Sequence, residues 1–325
     1  MKSSLLYGKR DLRVVDVSVP VPAEGDILMK IEACGVCPGD VRAWTRGRTA
    51  VNELPTNLGH EATGTIVEVG SKSDSHLIGR RVFGDGFGGY AEYKLISASS
   101  LQLSQGPTFL PDDLSFEVGV FVEPLADCLH AVEYCAQSRF CTSAAVIGCG
   151  QMGLQIVRLC VLAGLRVIAC DPLAQRRQIA ASFGAERVVQ STDREFEECA
   201  LDISNGRGLD CAFLVCADPM VMTPALRCLA MGGRCVLFSG YEENQVAVIA
   251  PQLIHEKRLQ IVGSRWVSNG ATPFFQLYRR AAEQLSRGLL DTNLLIGMRA
   301  TLSDMESAFQ AFSTHAVLKA VIFPG

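Results

Sequence analysis

Residues 144–153 read AAVIGCGQMG, a short apolar run followed by glycines at 148, 150 and 153. A G-x-G-x-x-G spacing alone says little in a chain with 30 glycines. The setting gives it meaning. The run 144–147 predicts a strand, and the glycines open a predicted helix. A second strand candidate, 166–170, ends at Asp171, close to the offset of about 20 residues at which an acidic group meets the ribose of a dinucleotide. Each residue type has a reason. Gly148 permits the tight turn, Gly150 lets the backbone approach a pyrophosphate, and Gly153 lets helix and strand pack closely. The helix N-terminus offers unpaired N–H groups and positive dipole to the phosphates. Asp171 would bind both ribose hydroxyls of NAD and repel the extra phosphate of NADP. Arg176 and Arg177 follow and argue for NADP, but an Asp at the strand end outweighs them.

Outward from this turn the same rhythm continues. Strand candidates at 187–189, 209–215, 234–238 and 259–262 alternate with stretches long enough for helices, which predicts a parallel, doubly wound α/β sheet of the Rossmann type. The first third of the chain is different. Residues 11–31 alternate apolar and polar around VPVPAEGD (19–26), and 62–95 continue with TGTIVEVG and GRRVFGDGFGGYAEYKL, so this part is β-rich and glycine-punctuated. After residue 264 a helical pattern returns, with Ser303 three residues before Glu306 in capping-box spacing. The chain then ends in a strand-like AVLKAVIF. The expected division is a dinucleotide domain over 126–264 and a β-rich catalytic domain over 1–125 and 265–325.

Composition narrows the class. Hydrophobic residues are 48% and charged residues 20% of 325, an ordinary globular balance large enough for two cores. The net charge of −4, with no basic block, speaks against nucleic acid or an anionic membrane surface as partner. Thirteen scattered cysteines, an odd number, do not form a dense disulfide framework and fit a reducing cytoplasm. MKSSLLYGKR lacks the apolar core of a signal peptide.

ACGVCPGDVRAW (33–44) places Cys34 and Cys37 three apart, ahead of Asp40. The pair alone fits a zinc knuckle, a redox dithiol or two buried thiols. LGHEATGTIVEVG (58–70) adds His60 and Glu61, and VEPLADCLHA (122–131) adds Glu123. Together they match a catalytic zinc site, which uses three ligands of Cys, His and carboxylate type and keeps one position open. A second CxxC, which a closed structural site would want, is absent. One cysteine is then a ligand and the other structural.

With these motifs in order, the chain resembles the zinc-containing medium-chain dehydrogenases, the alcohol and sorbitol dehydrogenase superfamily, over nearly its whole length. The resemblance implies a GroES-like catalytic domain beside the Rossmann domain. It makes Cys37 the sulfur ligand, His60 a ligand, Glu61 a ligand or close neighbour, and Glu123 a ligand directly or through water. It makes Asp40 the group that orients His60 through the second ring nitrogen. Arg176 matches the residue that holds the adenosine ribose. The implied cofactor contacts extend to Gln151, Met152, Cys216, Ser264, Arg265 and Lys319. Three departures stand out. No cysteine interrupts GRRVFGDGFGGYAEY, so a second, structural zinc is not expected. Gly39 stands where the family begins its proton relay with Ser or Thr, and Arg42 replaces the relay histidine. A zinc-bound water, a substrate hydroxyl or Glu61 would then carry the proton.

The expected function is oxidation of a small alcohol by hydride transfer, with one zinc and NAD. CPGDVRAWTRGR resembles the polyol branch, with Trp44 at a pocket-lining position. GSRW puts Arg265 and Trp266 where polyol enzymes meet substrate and nicotinamide. That favours a secondary alcohol of a polyol, sugar, cyclitol or amino alcohol. A bulky biosynthetic substrate of chlorophyllide type and a non-catalytic NAD- and zinc-binding role are the alternatives. A homo-oligomer, dimer or tetramer, is the family expectation.

Overall fold

All five residues of the strand Ser143–Ile147 are buried, the pattern of a strand covered on both faces. The computed structural model describes residues 1–47, 49, 53–84, 86–103, 106–135, 141–241, 244–264 and 274–325, and it divides into two units. In the unit Asp127–Val267 a six-stranded, wholly parallel sheet runs in the order Arg187–Val189, Arg166–Cys170, Ser143–Ile147, Leu209–Leu214, Leu229–Leu237, Gln260–Gly263. By sequence this is 3-2-1-4-5-6, the doubly wound order. The fifth strand begins at Leu229 rather than at 234. The Gly232–Gly233 pair is carried inside the strand, beside a register shift between Leu209 and Cys211. The helix Gln151–Leu162 rises from the glycine turn and buries Leu154, Ile156, Val157, Leu159 and Cys160.

The other unit joins Met1–Ala126 to Ser268–Gly325. Its main sheet runs Ile296–Thr301, Lys319–Phe323, Ile27–Gly35, Glu61–Val69, Arg81–Gly84, Thr108–Phe109, with Tyr93–Ile96 also paired to Ile27–Gly35. The two runs expected in 11–31 separate into different sheets. Ile27–Gly35 has seven of nine positions buried and is central. Asp11–Asp16 has none buried and lies at an edge, paired to Lys2–Gly8. The core gathers Leu6, Ile27, Met29, Ile31, Tyr90 and Phe309, large side chains worth about 1.5–3 kcal/mol each when fully buried. The capping box expected at Ser303 forms two residues earlier, between Thr301 and Asp304. A 3₁₀ turn, Leu302–Asp304, precedes the helix Met305–Ser313 and takes the box. Among the described residues no helix is long and apolar enough to cross a membrane.

Candidate active site

The strand Ile27–Gly35 brings the candidate ligands together. It lies between Glu61–Val69 and Lys319–Phe323, with Gly35 paired to Glu61 on one side and to Val321 on the other. Just past Gly35 the chain turns into the helix Pro38–Arg46. Cys37 is its N-cap, accepting the Gly39 N–H at Sγ (3.4 Å), and Asp40 sits in its first turn. Gly59, at φ +81°, makes the turn that delivers His60 and Glu61. As a result one ligand atom each from Cys37, His60 and Glu61 lie within 4.8 Å of one another. Thiolate, imidazole and carboxylate together suit zinc. Glu123, on the helix Val122–His130, is outside this group.

The surroundings give each residue a role. Cys34 is fully buried, and its sulfur packs where a side chain on Gly59 or Gly89 would otherwise stand. That makes it a core residue. Asp40, 1% exposed, accepts hydrogen bonds from the Tyr90 hydroxyl (2.7 Å) and from the backbone N–H groups of Cys37 and Gly59 (both 3.4 Å). His60 Nδ1 stands 3.5 Å from Asp40 Oδ1 and completes no hydrogen bond there. Burial pushes the Asp40 carboxyl up, but His60, Tyr90 and the Gly59 N–H outweigh it and hold Asp40 below its ordinary value. Burial opposes a charge on His60, and the Cys37 sulfur and Asp40 overcome it, keeping the imidazole well above the usual histidine range. Burial, with the Asp40 charge, holds the Tyr90 phenol well above ordinary tyrosine, so it remains a donor.

Two of the expected residues have partners within the protein. Lys319, expected at the cofactor, is fully buried with its Nζ on Glu61 Oε2. Gly35 makes room for the pair, since a Cβ there would meet the Glu61 carboxylate and come 2.8 Å from Lys319 Cε. Trp44, expected to line a pocket, lies in the core, edge-on to Phe309 at 5.8 Å and beneath the Arg10 guanidinium. Its helix is amphipathic and buries Asp40, Val41 and Trp44 on one face. Arg265 and Trp266 fall outside the described residues. Tyr90 and the pairing of Lys319 with Glu61 were not foreseen. Nothing in GFGGYAEY marks its first tyrosine as a partner of Asp40, 50 positions earlier.

In the other unit the glycine turn is built from backbone. Gly148 adopts φ +98° against the Cys216 backbone, and a Cβ on Gly153 would collide with the Gly148 carbonyl. At Gly150 a Cβ would meet nothing within 4 Å, which leaves an open cradle at the helix N-terminus. Beside it the Gln151 side chain is buried with neither its oxygen nor its nitrogen partnered by protein. An open anion cradle with an orphaned amide fits a dinucleotide pyrophosphate. The Met152 carbonyl accepts the Cys128 thiol, and Ser264 Oγ bonds the Leu237 carbonyl. Asp171 accepts the N–H groups of Cys149 (2.8 Å) and Leu173 (2.9 Å), and Arg176 Nη1 stands 3.6 Å away. Arg177 is spent on the carbonyls of Asp171 and Pro172.

Residues 23–105 match the alcohol dehydrogenase GroES-like domain, and residues 150–285 match the zinc-binding dehydrogenase model. The chain belongs to the zinc-type medium-chain dehydrogenases. Similar members of that family include sorbitol dehydrogenase of Bacillus subtilis (strain 168), 25% identical over 100% of this chain and 97% of that protein. (R,R)-butanediol dehydrogenase of the same organism is 27% identical over 96% of each. Among solved medium-chain dehydrogenases, a zinc-binding dehydrogenase from Sinorhizobium meliloti 1021 bound to NADP superposes with a TM-score of 0.86, at 26% identity over 99% of each chain.

Proposed function

We propose that this dehydrogenase uses NAD to oxidise a secondary alcohol of a polyol, sugar, cyclitol or amino alcohol to a ketone, with one zinc held by Cys37, His60 and Glu61. The observation that carries this is the three-residue group itself, in a chain that also has the open phosphate cradle. Relatives that act on sorbitol and butanediol support the substrate class.

Zinc, when bound, supplies Lewis acidity that lowers the pKa of a hydroxyl so that hydride can leave for the nicotinamide. Cys37 and His60 supply sulfur and imidazole ligands, and Asp40 faces the imidazole on its Nδ1 side at 3.5 Å, placed to orient it. Glu61 keeps Oε2 on Lys319, while Oε1 has no hydrogen bond among the described residues. That oxygen is the candidate for binding the metal or taking the substrate proton, a route suited to a chain with Gly39 and Arg42 in the relay positions. Glu123 is the second carboxylate for exchange. Asp171 receives the ribose hydroxyls. The NADP in the Sinorhizobium protein makes the cofactor choice worth testing. Arg177, committed to backbone carbonyls, supports NAD.

Metal analysis with an NAD-reduction screen over polyols, cyclitols and secondary alcohols tests the reading. One zinc per chain and turnover of a secondary alcohol is the expected result. Zinc and NAD both bound with no turnover would favour a non-catalytic role. We also propose a homo-oligomer joined at the edge strand Gln260–Gly263, whose Ile261 is exposed. Light scattering giving a monomer would refute it.

A further inference from the structure

Tyr90 is neither a ligand nor a base in this reading, yet it makes the shortest hydrogen bond to Asp40. Asp40 Oδ2 accepts its hydroxyl at 2.7 Å and the Cys37 N–H at 3.4 Å. Asp40 Oδ1 accepts the Gly59 N–H at 3.4 Å and faces His60 Nδ1 at 3.5 Å. A hydroxyl-to-carboxylate bond of 2.7 Å is of the charge-assisted kind, whereas the two backbone bonds are near the limit of hydrogen bonding and the His60 contact completes none. Asp40 is almost wholly buried, so bulk water cannot replace a lost partner. The phenol is itself fixed. Its ring packs edge-on to Phe309 at 5.8 Å and lies so close to Gly59 that a Cβ there would come within 3.0 Å of it. Its hydroxyl also reaches the Gly35 carbonyl at 3.2 Å.

We propose that Tyr90 is a positioning residue for the metal centre, fixing Asp40 so that Asp40 fixes His60. The inference rests on the reading of His60 as a zinc ligand. It adds an outer link that neither motif spacing nor the ligand set contains. Partners of this kind are worth about 10–100-fold in metal affinity.

The test compares the wild-type chain with Tyr90→Phe, Asp40→Asn and the double variant. The readouts are zinc release to a chromogenic chelator and the visible spectrum after cobalt substitution. Tyr90→Phe keeps the ring and its packing and removes only the hydroxyl. It is expected to release zinc about 10–100-fold faster and to shift the cobalt bands in the direction that Asp40→Asn shifts them. In the double variant the Tyr90 change is expected to add less than about twofold. Wild-type release from Tyr90→Phe overturns the proposal. So does an equal added factor in the Asp40→Asn background, which would mean that Tyr90 acts by packing. Should Tyr90→Phe fail to fold, tight zinc in Asp40→Asn overturns it alone, because the linkage runs through that carboxylate. A wild-type chain that holds no zinc sinks the functional reading itself, and this inference with it.

Discussion

The glycine turn of Asp127–Val267 and the ligand cluster of the other unit solve one problem, holding a charged group in a folded interior, by different means. The turn works by leaving side chains out. Gly148, Gly150 and Gly153 lie within six residues and present backbone to a ligand. The cluster works by putting side chains in. Cys37, Asp40, His60, Glu61, Tyr90 and Lys319 come from four parts of the chain, and each buried charge has a named partner. A backbone site therefore fails when atoms are added, and a side-chain site fails when they are removed.

The sharpest break should come at the buried pair. Lys319→Met leaves Glu61 uncompensated in the interior and is expected to destabilise the chain by about 3–5 kcal/mol, measured by urea unfolding. Glu61→Gln combined with Lys319→Met should recover most of that loss. A cost below about 1 kcal/mol for the single change would show that water already reaches the pair. In the turn the effect should depend on position. Gly153→Ala forces a Cβ onto the Gly148 carbonyl and should cost about 1–3 kcal/mol. Gly150→Ala, in open space, should leave stability within about 0.5 kcal/mol and weaken NAD binding in calorimetry. Equal stability losses at both glycines would erase the distinction. Asp171→Ser should shrink the ratio of kcat/KM for NAD over NADP by about tenfold, or about 1.4 kcal/mol. An unchanged ratio would place cofactor choice elsewhere.

The smallest effect concerns pH. Burial lowers the His130 pKa, with the Ser264 backbone opposing it. The unfolded chain then binds the proton more readily than the folded one. The stability linked to neutral His130 is full above the unfolded value of about 6.5 and is lost as pH falls toward the lower folded value. His130→Gln should flatten the decline of Tm between about pH 7 and pH 5.5. An unaltered decline would assign that slope to other groups.

Legibility followed the same contrast. The turn could be read because its parts are contiguous and its chemistry is the absence of a side chain, so strand, glycines and Asp171 announce one another. Cys37, His60 and Glu61 could be gathered because each is a chemically distinctive type. Tyr90 could not be assigned and Lys319 could not be paired with Glu61, since a tyrosine in a glycine-rich loop and a lysine in a strand have many possible partners. Only the tertiary fold decides among them. Trp44 misled for a related reason. Its helical spacing from Val41 marks a core face as readily as a pocket wall.

Gly35 stands between strands that the chain makes far apart in time. Its pairing with Glu61–Val69 can form early in synthesis, but the Lys319–Phe323 strand emerges only about 250 residues later. The unit Asp127–Val267 lies between them and can fold first. On a ribosome the cysteine, histidine and glutamate would therefore be present long before the ammonium that balances the glutamate. Until then Glu61 belongs to an unfinished sheet and is open to water. The order of synthesis thus leaves the partner of Glu61 until last, when the C-terminal strand pairs beside Ile27–Gly35.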